Sequence, residues 1–147
     1  MKTLLITAHT GCNGTPHNTI ESILAGAAWG ADINEIDVRA TRDEIPVLWH
    51  DDALATKKGI IKVEDLTFRE IEELSGAGEI EFPHPEGRIT PLEEVFDAVA
   101  GKGIRLNMDL KDDECIVPVA KMVKTRDLAE DVVFSGCGKV RDRKSVV

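Results

Sequence analysis

The order in which two hydrophobic periods alternate along the chain limits its fold more than any other feature. Leu4 to Ala8 is a nearly continuous apolar run ending at His9, and the Gly-, Asn-, Thr- and Pro-rich stretch Thr10 to Pro16 follows it. That pattern reads as a buried strand running into a loop. Asn18 with Glu21 has the form of a capping box, and Ile20, Ile23, Leu24, Ala27 and Ala28 then repeat at helical spacing up to Gly30. The period changes to two from Ala31 to Val38, and Ile45 to Trp49 is a second short β-type run. Thr67 with Glu70 predicts a helix start, Thr90-Pro91 with Glu93 predicts another helix ending near Gly101, and Asp112-Asp113 precedes a third over Ile116 to Val123. Ile104 to Lys111 and Val132 to Ser135 bring the strands to five, while Lys57 to Pro91 is a long, weakly patterned connection expected to wrap over the site.

Strands that alternate with helices imply a parallel sheet, because parallel neighbours need crossover connections. The expected fold class is therefore α/β. A chain of 147 residues with 42% hydrophobic and 31% charged residues is long enough for one core. Its net charge of -9 weighs against nucleic acid or an anionic membrane as a partner, since both would repel such a surface. A small substrate carrying one phosphate remains compatible if the site supplies its own cation. Met1-Lys2 leads straight into Leu4-Leu5-Ile6 without a stretch of signal-peptide length, and no segment is long enough for stable membrane insertion. Cys12, Cys115 and Cys137 are few and far apart, which fits a reducing compartment and predicts a cytoplasmic protein. Nothing in the sequence sets the oligomeric state.

Side chains alternate across a strand, so Glu35 and Asp37 share a face with Ile33, while Asn34, Ile36 and Val38 share the other. At ~3.3 Å per residue the two carboxylates lie about 7 Å apart, close enough to hold one hydrated cation between them. The strand from Ile104 repeats the arrangement, with Arg105, Asn107, Asp109 and Lys111 on one face. An amphipathic strand with a solvated polar face would show the same alternation. The parallel context weighs against that reading, because helices cover the outer face and the inner face of a barrel makes uncompensated carboxylates costly. His9 and His50 each fall at the C-terminal end of a predicted strand, where barrel enzymes place reactive groups, and either could move a proton near neutral pH. Asp51 is placed to orient His50. His17 and His84 are expected to be structural, Trp29 and Trp49 to be core residues, and Cys12 to be neither nucleophile nor zinc ligand, since no further soft ligands cluster with it.

These residues resemble a known family, the glycerophosphodiester phosphodiesterases. Gly30-Ala31-Asp32-Ile33-Asn34-Glu35-Ile36-Asp37-Val38, then Thr41-Arg42-Asp43, then Val47-Leu48-Trp49-His50-Asp51 is similar to the family's GAD-x-x-E-x-DV, T-x-D and HD pattern. Upstream, His9-Thr10-Gly11 and Pro16-His17-Asn18-Thr19 resemble its HRG and PENT. Downstream, Thr90-Pro91-Leu92-Glu93-Glu94-Val95 and Leu106-Asn107-Met108-Asp109-Leu110-Lys111 resemble its TLEEV and LNIEIK. The resemblance implies an eight-stranded (β/α) TIM barrel, of which this chain holds about the first five strands. It implies that Glu35, Asp37 and Asp109 hold Mg²⁺ or Ca²⁺, and that His9 and His50 act as general acid and base. Lys111 would contact the substrate phosphate, as would Thr10, which stands in place of the family's phosphate-binding arginine. Two further departures are Asp109 for a glutamate and His17 for the glutamate of PENT.

The expected reaction is metal-dependent hydrolysis of a small-molecule glycerophosphodiester to sn-glycerol 3-phosphate and an alcohol. The rivals are a lysophospholipase D-like phosphodiesterase of the same fold and a non-catalytic barrel that binds a phosphorylated ligand. Residues 1–141 are expected to form an incomplete barrel domain, inactive by itself and, with two sheet edges unpaired and the core unclosed, prone to aggregate, and 142–147 to be a non-native tail.

Overall fold

The computed structural model describes residues 4–84 and 87–136, and it alternates strands with helices much as the periods predict. In chain order the elements are β1 (Thr7–Ala8), α1 (Ile20–Ala28), β2 (Ile33–Ala40), β3 (Pro46–Leu48), β4 (Ala53–Thr56), β5 (Gly59–Lys62), α2 (Phe68–Gly76), β6 (Thr90–Pro91), α3 (Leu92–Val99), β7 (Arg105–Leu110), α4 (Ile116–Thr125) and β8 (Val132–Gly136). The expected tail over 142–147 lies outside the described residues.

β1, β2, β7 and β8 form a parallel wall in that spatial order. The fold is thus α/β with an open sheet, as expected, but the sheet is mixed. β3 pairs antiparallel to β2 through Val38↔Leu48, Arg39↔Val47 and Ala40↔Pro46, and β6 pairs antiparallel to β3. The run at Ile45 to Trp49 is therefore not a strand of the parallel wall. Residues 41–45 reverse the chain in a tight loop, in which the Thr41 N–H donates to the Ile45 carbonyl at 3.1 Å, and five residues cannot carry a crossover.

The core lies between the wall and its helices. Ile36 and Val38 of β2 and Leu106, Met108 and Leu110 of β7 pack with Ile23 of α1, Leu92, Val95 and Phe96 of α3, and Val119 and Val123 of α4. The apolar alternation on β7 thus faces the helices, which leaves Arg105, Asn107 and Asp109 on the concave face. The described residues between Lys57 and Pro91 carry more regular structure than their weak pattern implies. The β4–β5 hairpin and α2 bury Val47, Leu54, Val63, Ile71, Ile80 and Ile89 in a second, separate cluster, with Trp49 and Phe82 against it.

Two local expectations fail for identifiable reasons. Asn18 does not cap α1. Thr19 does, accepting from Ser22 N, because Asn18 sits at φ 58 with its side chain committed elsewhere. Leu4, Leu5 and Ile6 are not a buried strand either, being 86%, 51% and 58% exposed. β1 pairs with β2 on one side, and among the described residues no strand covers its other edge. The predicted cap of α2 is present, with Thr67 Oγ1 accepting from Glu70 N and the Glu70 carboxylate accepting from Thr67 N. Thr67→Ala is expected to cost about 1 kcal/mol, read as a lower urea midpoint with unchanged slope.

Gly26 marks where α1 touches the wall. A Cβ there would lie 2.1 Å from Asn34 Oδ1 and 2.9 Å from Ala8 Cβ. Helix propensity alone would make Gly26→Ala stabilising by about 1 kcal/mol. The contact with buried Asn34 reverses the sign, and a loss of about 1–3 kcal/mol is expected in thermal or urea unfolding. No helix among the described residues is long and apolar enough to cross a membrane.

Candidate active site

The concave face gathers the acidic residues that the period-two pattern singled out. Asp37 of β2 and Asp109 of β7 stand directly opposite each other in parallel register, with Glu35 two residues below Asp37 and level with Asn107. One carboxylate oxygen from each of Glu35, Asp37 and Asp109 lies within 4.8 Å of the others. Like charges placed across from one another in a sheet are unfavourable unless something sits between them. Lys111 does so here, its ammonium lying 2.9 Å from Asp37 Oδ1 and hydrogen bonded to Asp109 Oδ2. Burial pulls the Lys111 pKa down, but Asp109 and Asp37 outweigh it and hold the group above the usual lysine value.

Three carboxylates against the one ammonium that contacts them leave an excess of two acidic groups at the cluster. A set of hard oxygen donors of this kind could hold a metal ion and offers no soft ligand to a thiophilic one. The Oδ1 of Asn107, level with Glu35, is buried without a hydrogen-bond partner, so a neutral oxygen is available on the same face.

Asp37, 2% exposed, is the most deeply held of the three. Asn18 fixes it from both sides: Asn18 Nδ2 donates to Asp37 Oδ2 at 2.9 Å, and Asp37 N donates to Asn18 Oδ1 at 2.9 Å. Thr10 is 3% exposed, and its hydroxyl accepts from Asn18 N at 2.6 Å while its own N–H donates to Glu35 Oε2 at 3.1 Å. Thr10 therefore braces the two segments that orient Asp37 and Glu35.

His9 Nδ1 lies 2.7 Å from the Thr10 carbonyl. A carbonyl can only accept, so the proton belongs on Nδ1 and the neutral ring presents Nε2 as a base; that Nε2 is 3.8 Å from Glu35 Oε2. His50 has the same polarity, its Nδ1 2.9 Å from Asp51 Oδ1, which is the orienting contact expected of Asp51. It reaches the site by another route than a parallel strand end. β3 runs back along the upper part of β2, Trp49 N donates to Asp37 O at 3.2 Å, and His50 follows next in the chain. His17, expected to be structural, lies 5.9 Å from the His9 ring and lines a pocket together with His50 and His84. Cys12 donates to the Ser22 carbonyl at 3.7 Å and shares no metal cluster with His9 among the described residues.

The family model for the glycerophosphoryl diester phosphodiesterase family matches residues 9–145, so it covers the histidines and carboxylates just described. The chain belongs to this family. A glycerophosphodiester phosphodiesterase of Caldanaerobacter subterraneus subsp. tengcongensis is 30% identical over 141 residues, spanning 92% of this chain and 58% of that protein. The human lysophospholipase D GDPD1 is 26% identical over 121 residues, spanning 78% of this chain and 38% of its own length. A crystal structure of glycerophosphodiester phosphodiesterase from Thermotoga maritima superposes with a TM-score of 0.70 at 25% identity, covering 98% of this chain and 65% of that one. The chain thus spans less than two thirds of the length of these relatives.

Two residues of the candidate site are not singled out by the sequence residue by residue. Asn18 read as a helix cap, although it stands in the stretch that resembles PENT, which was the available signal. Arg39 carried none. Its Nε and Nη2 donate to the His50 carbonyl at 3.1 and 2.9 Å, and its Nη1 lies 3.6 Å from Asp112 Oδ2. Burial pushes the Asp112 carboxyl up against the opposing pull of N–H donors from Ala40 and Cys115. Arg39 thereby ties the His50 turn to the loop after β7 that carries Lys111.

Proposed function

We propose that this chain carries the metal and proton-transfer groups of a phosphodiesterase that hydrolyses glycerophosphodiesters to sn-glycerol 3-phosphate and an alcohol. The observation that carries the reading is the convergence of Glu35, Asp37 and Asp109 within 4.8 Å on a concave face, in a chain of this family. Those three residues would hold Mg²⁺ or Ca²⁺, which when bound offsets the charge that builds on the phosphate oxygens. Lys111, already on that face, would release a carboxylate and turn to the phosphate as a point charge. Thr10 cannot offer the bidentate grip of an arginine, so phosphate affinity is expected to rest more heavily on Lys111 and the cation.

His9 and His50 supply the proton transfers. The neutral ring takes a proton at Nε2 from the attacking water as the water oxygen bonds to phosphorus, the P–O bond to the alcohol breaks, and the other ring, protonated at Nε2 as well as Nδ1, delivers that proton to the departing oxygen. Asp51 holds one ring and the Thr10 carbonyl the other through Nδ1, so that Nε2 is the atom of each ring left to take or give the proton. An eight-stranded barrel needs twice the four parallel strands described here, so turnover is expected of the closed barrel and not of these residues alone.

A lysophospholipase D-like activity is the second reading, supported by the match to the human lysophospholipase D and by apolar surface beside His50. Enzymatic detection of sn-glycerol 3-phosphate released by the completed barrel from a set of glycerophosphodiesters, with lysophospholipids in parallel, separates the two. Release from the former alone supports the proposal. Cleavage confined to lysophospholipids replaces it with the second reading.

A further inference from the structure

Among the described residues two side-chain amide oxygens are buried without a hydrogen-bond partner, Asn34 Oδ1 and Asn107 Oδ1. They stand on neighbouring strands but on opposite faces of the sheet. Asn34 Oδ1 looks toward α1, where a Cβ on Gly26 would lie 2.1 Å from it. Asn107 alternates with Leu106 and Met108, which pack under the helices, so its side chain is on the concave face with Asp109. Parallel register sets Asn107 opposite Glu35, as it sets Asp109 opposite Asp37.

An acceptor removed from water without a partner is costly, and the surroundings of this one narrow what can satisfy it. Ionised Glu35, Asp37 and Asp109 have only lone pairs to offer. The Lys111 ammonium is turned to Asp37 and Asp109. Arg105, two residues down the same face, makes no hydrogen bond to the Asn107 oxygen. A cation held by the three carboxylates would satisfy it. Such an ion gains in turn, because Ca²⁺ takes about 6–8 oxygens, asparagine carbonyls among them, and three acidic side chains leave positions open. A neutral oxygen fills one of those positions without adding to the mutual repulsion of the acids.

Resting on the cation reading above, we propose that Asn107 is a fourth protein ligand of that cation and binds it directly through Oδ1. The carboxylates then supply the charge of the site, and Asn107 supplies coordination and displaces one water from the ion.

The test counts that water. Eu³⁺ is a hard ion that takes the oxygen sites of Ca²⁺, and the difference between its luminescence decay in H₂O and in D₂O reports how many waters it keeps. The 147-residue chain is titrated with Eu³⁺ and with Ca²⁺ beside Asn107→Ala and Asn107→Asp. Alanine leaves room for a water where the amide oxygen was, so Asn107→Ala is expected to gain about one bound water and to lose about tenfold in Ca²⁺ affinity. Asn107→Asp keeps an oxygen in place and is expected to hold the parent's water count with an affinity no lower than the parent's. Asn107 belongs to neither apolar cluster, so its truncation opens no cavity there. A second measurement needs no substitution. On saturation with Ca²⁺ the side-chain ¹³Cγ resonance of Asn107 is expected to move, while that of Asn34, on the other face, stays in place. An unchanged water count in Asn107→Ala, or an Asn107 resonance as still as that of Asn34, would overturn the assignment. Turnover is not involved. A parent that binds no cation would sink the cation reading and this ligand with it, whereas a bound cation whose water count ignores Asn107→Ala would sink the ligand alone.

Discussion

Replacing His50 with alanine is expected to lower glycerophosphodiester turnover by about 10²–10⁴-fold while cation affinity stays unchanged. The separation of the two effects follows from where the ring sits. Its Nδ1 is taken by Asp51, its backbone carbonyl by Arg39, and neither links it to Glu35, Asp37 or Asp109. His50 is also exposed, so its removal opens no cavity in either apolar cluster. The same range is expected for His9→Ala, whose Nδ1 leans on the Thr10 carbonyl and leaves Nε2 as the working atom. Steady-state rates beside a calorimetric titration of the cation check both. A variant with parent-like turnover would remove that histidine from the chemistry.

Asp37→Asn carries the other large effect, an expected loss of cation affinity of about a hundredfold or more. A unit charge ~4 Å away is worth about 4 kcal/mol at an effective dielectric near 20, and more toward a divalent ion. Losing half of the roughly 8 kcal/mol that this gives for a divalent ion already exceeds the roughly 2.8 kcal/mol of two decades in affinity. The substitution keeps the shape that Asn18 grips from both sides, so the loss reports on charge and not on collapse of the strand. Titrating Mg²⁺ and Ca²⁺ into the parent and the variant gives the answer. Affinity that survives the substitution would place the cation elsewhere.

How much of this was legible depends on whether a residue's partner is local. The alternation on β7 showed which of Arg105 to Leu110 face the helices, because side-chain direction in a strand is set by the strand itself. That Asp37 lies opposite Asp109 depends on register between two strands far apart in sequence, which no local pattern carries. The resemblance to the family supplied it. The direction of β3 was missed because a run as short as Ile45 to Trp49 does not announce its partner, and the tight loop before it admits only a reversal. Asn18 and Thr19 are both good cap residues, and sequence could not know that Asp37 would claim the first. Leu4 to Ile6 read as buried because apolar runs are usually covered, a condition that depends on neighbours and not on the run itself. Arg39 remained invisible since its acceptor is a backbone carbonyl, available in principle at any residue.

The most direct test follows the phosphorus of a glycerophosphodiester by ³¹P NMR with the barrel complete, first with Mg²⁺ or Ca²⁺ and then after EDTA. Conversion of the diester signal to that of a monoester with the cation, stopping on chelation, is the predicted result. Conversion that continues unchanged in EDTA, or none with the cation bound, would contradict the account.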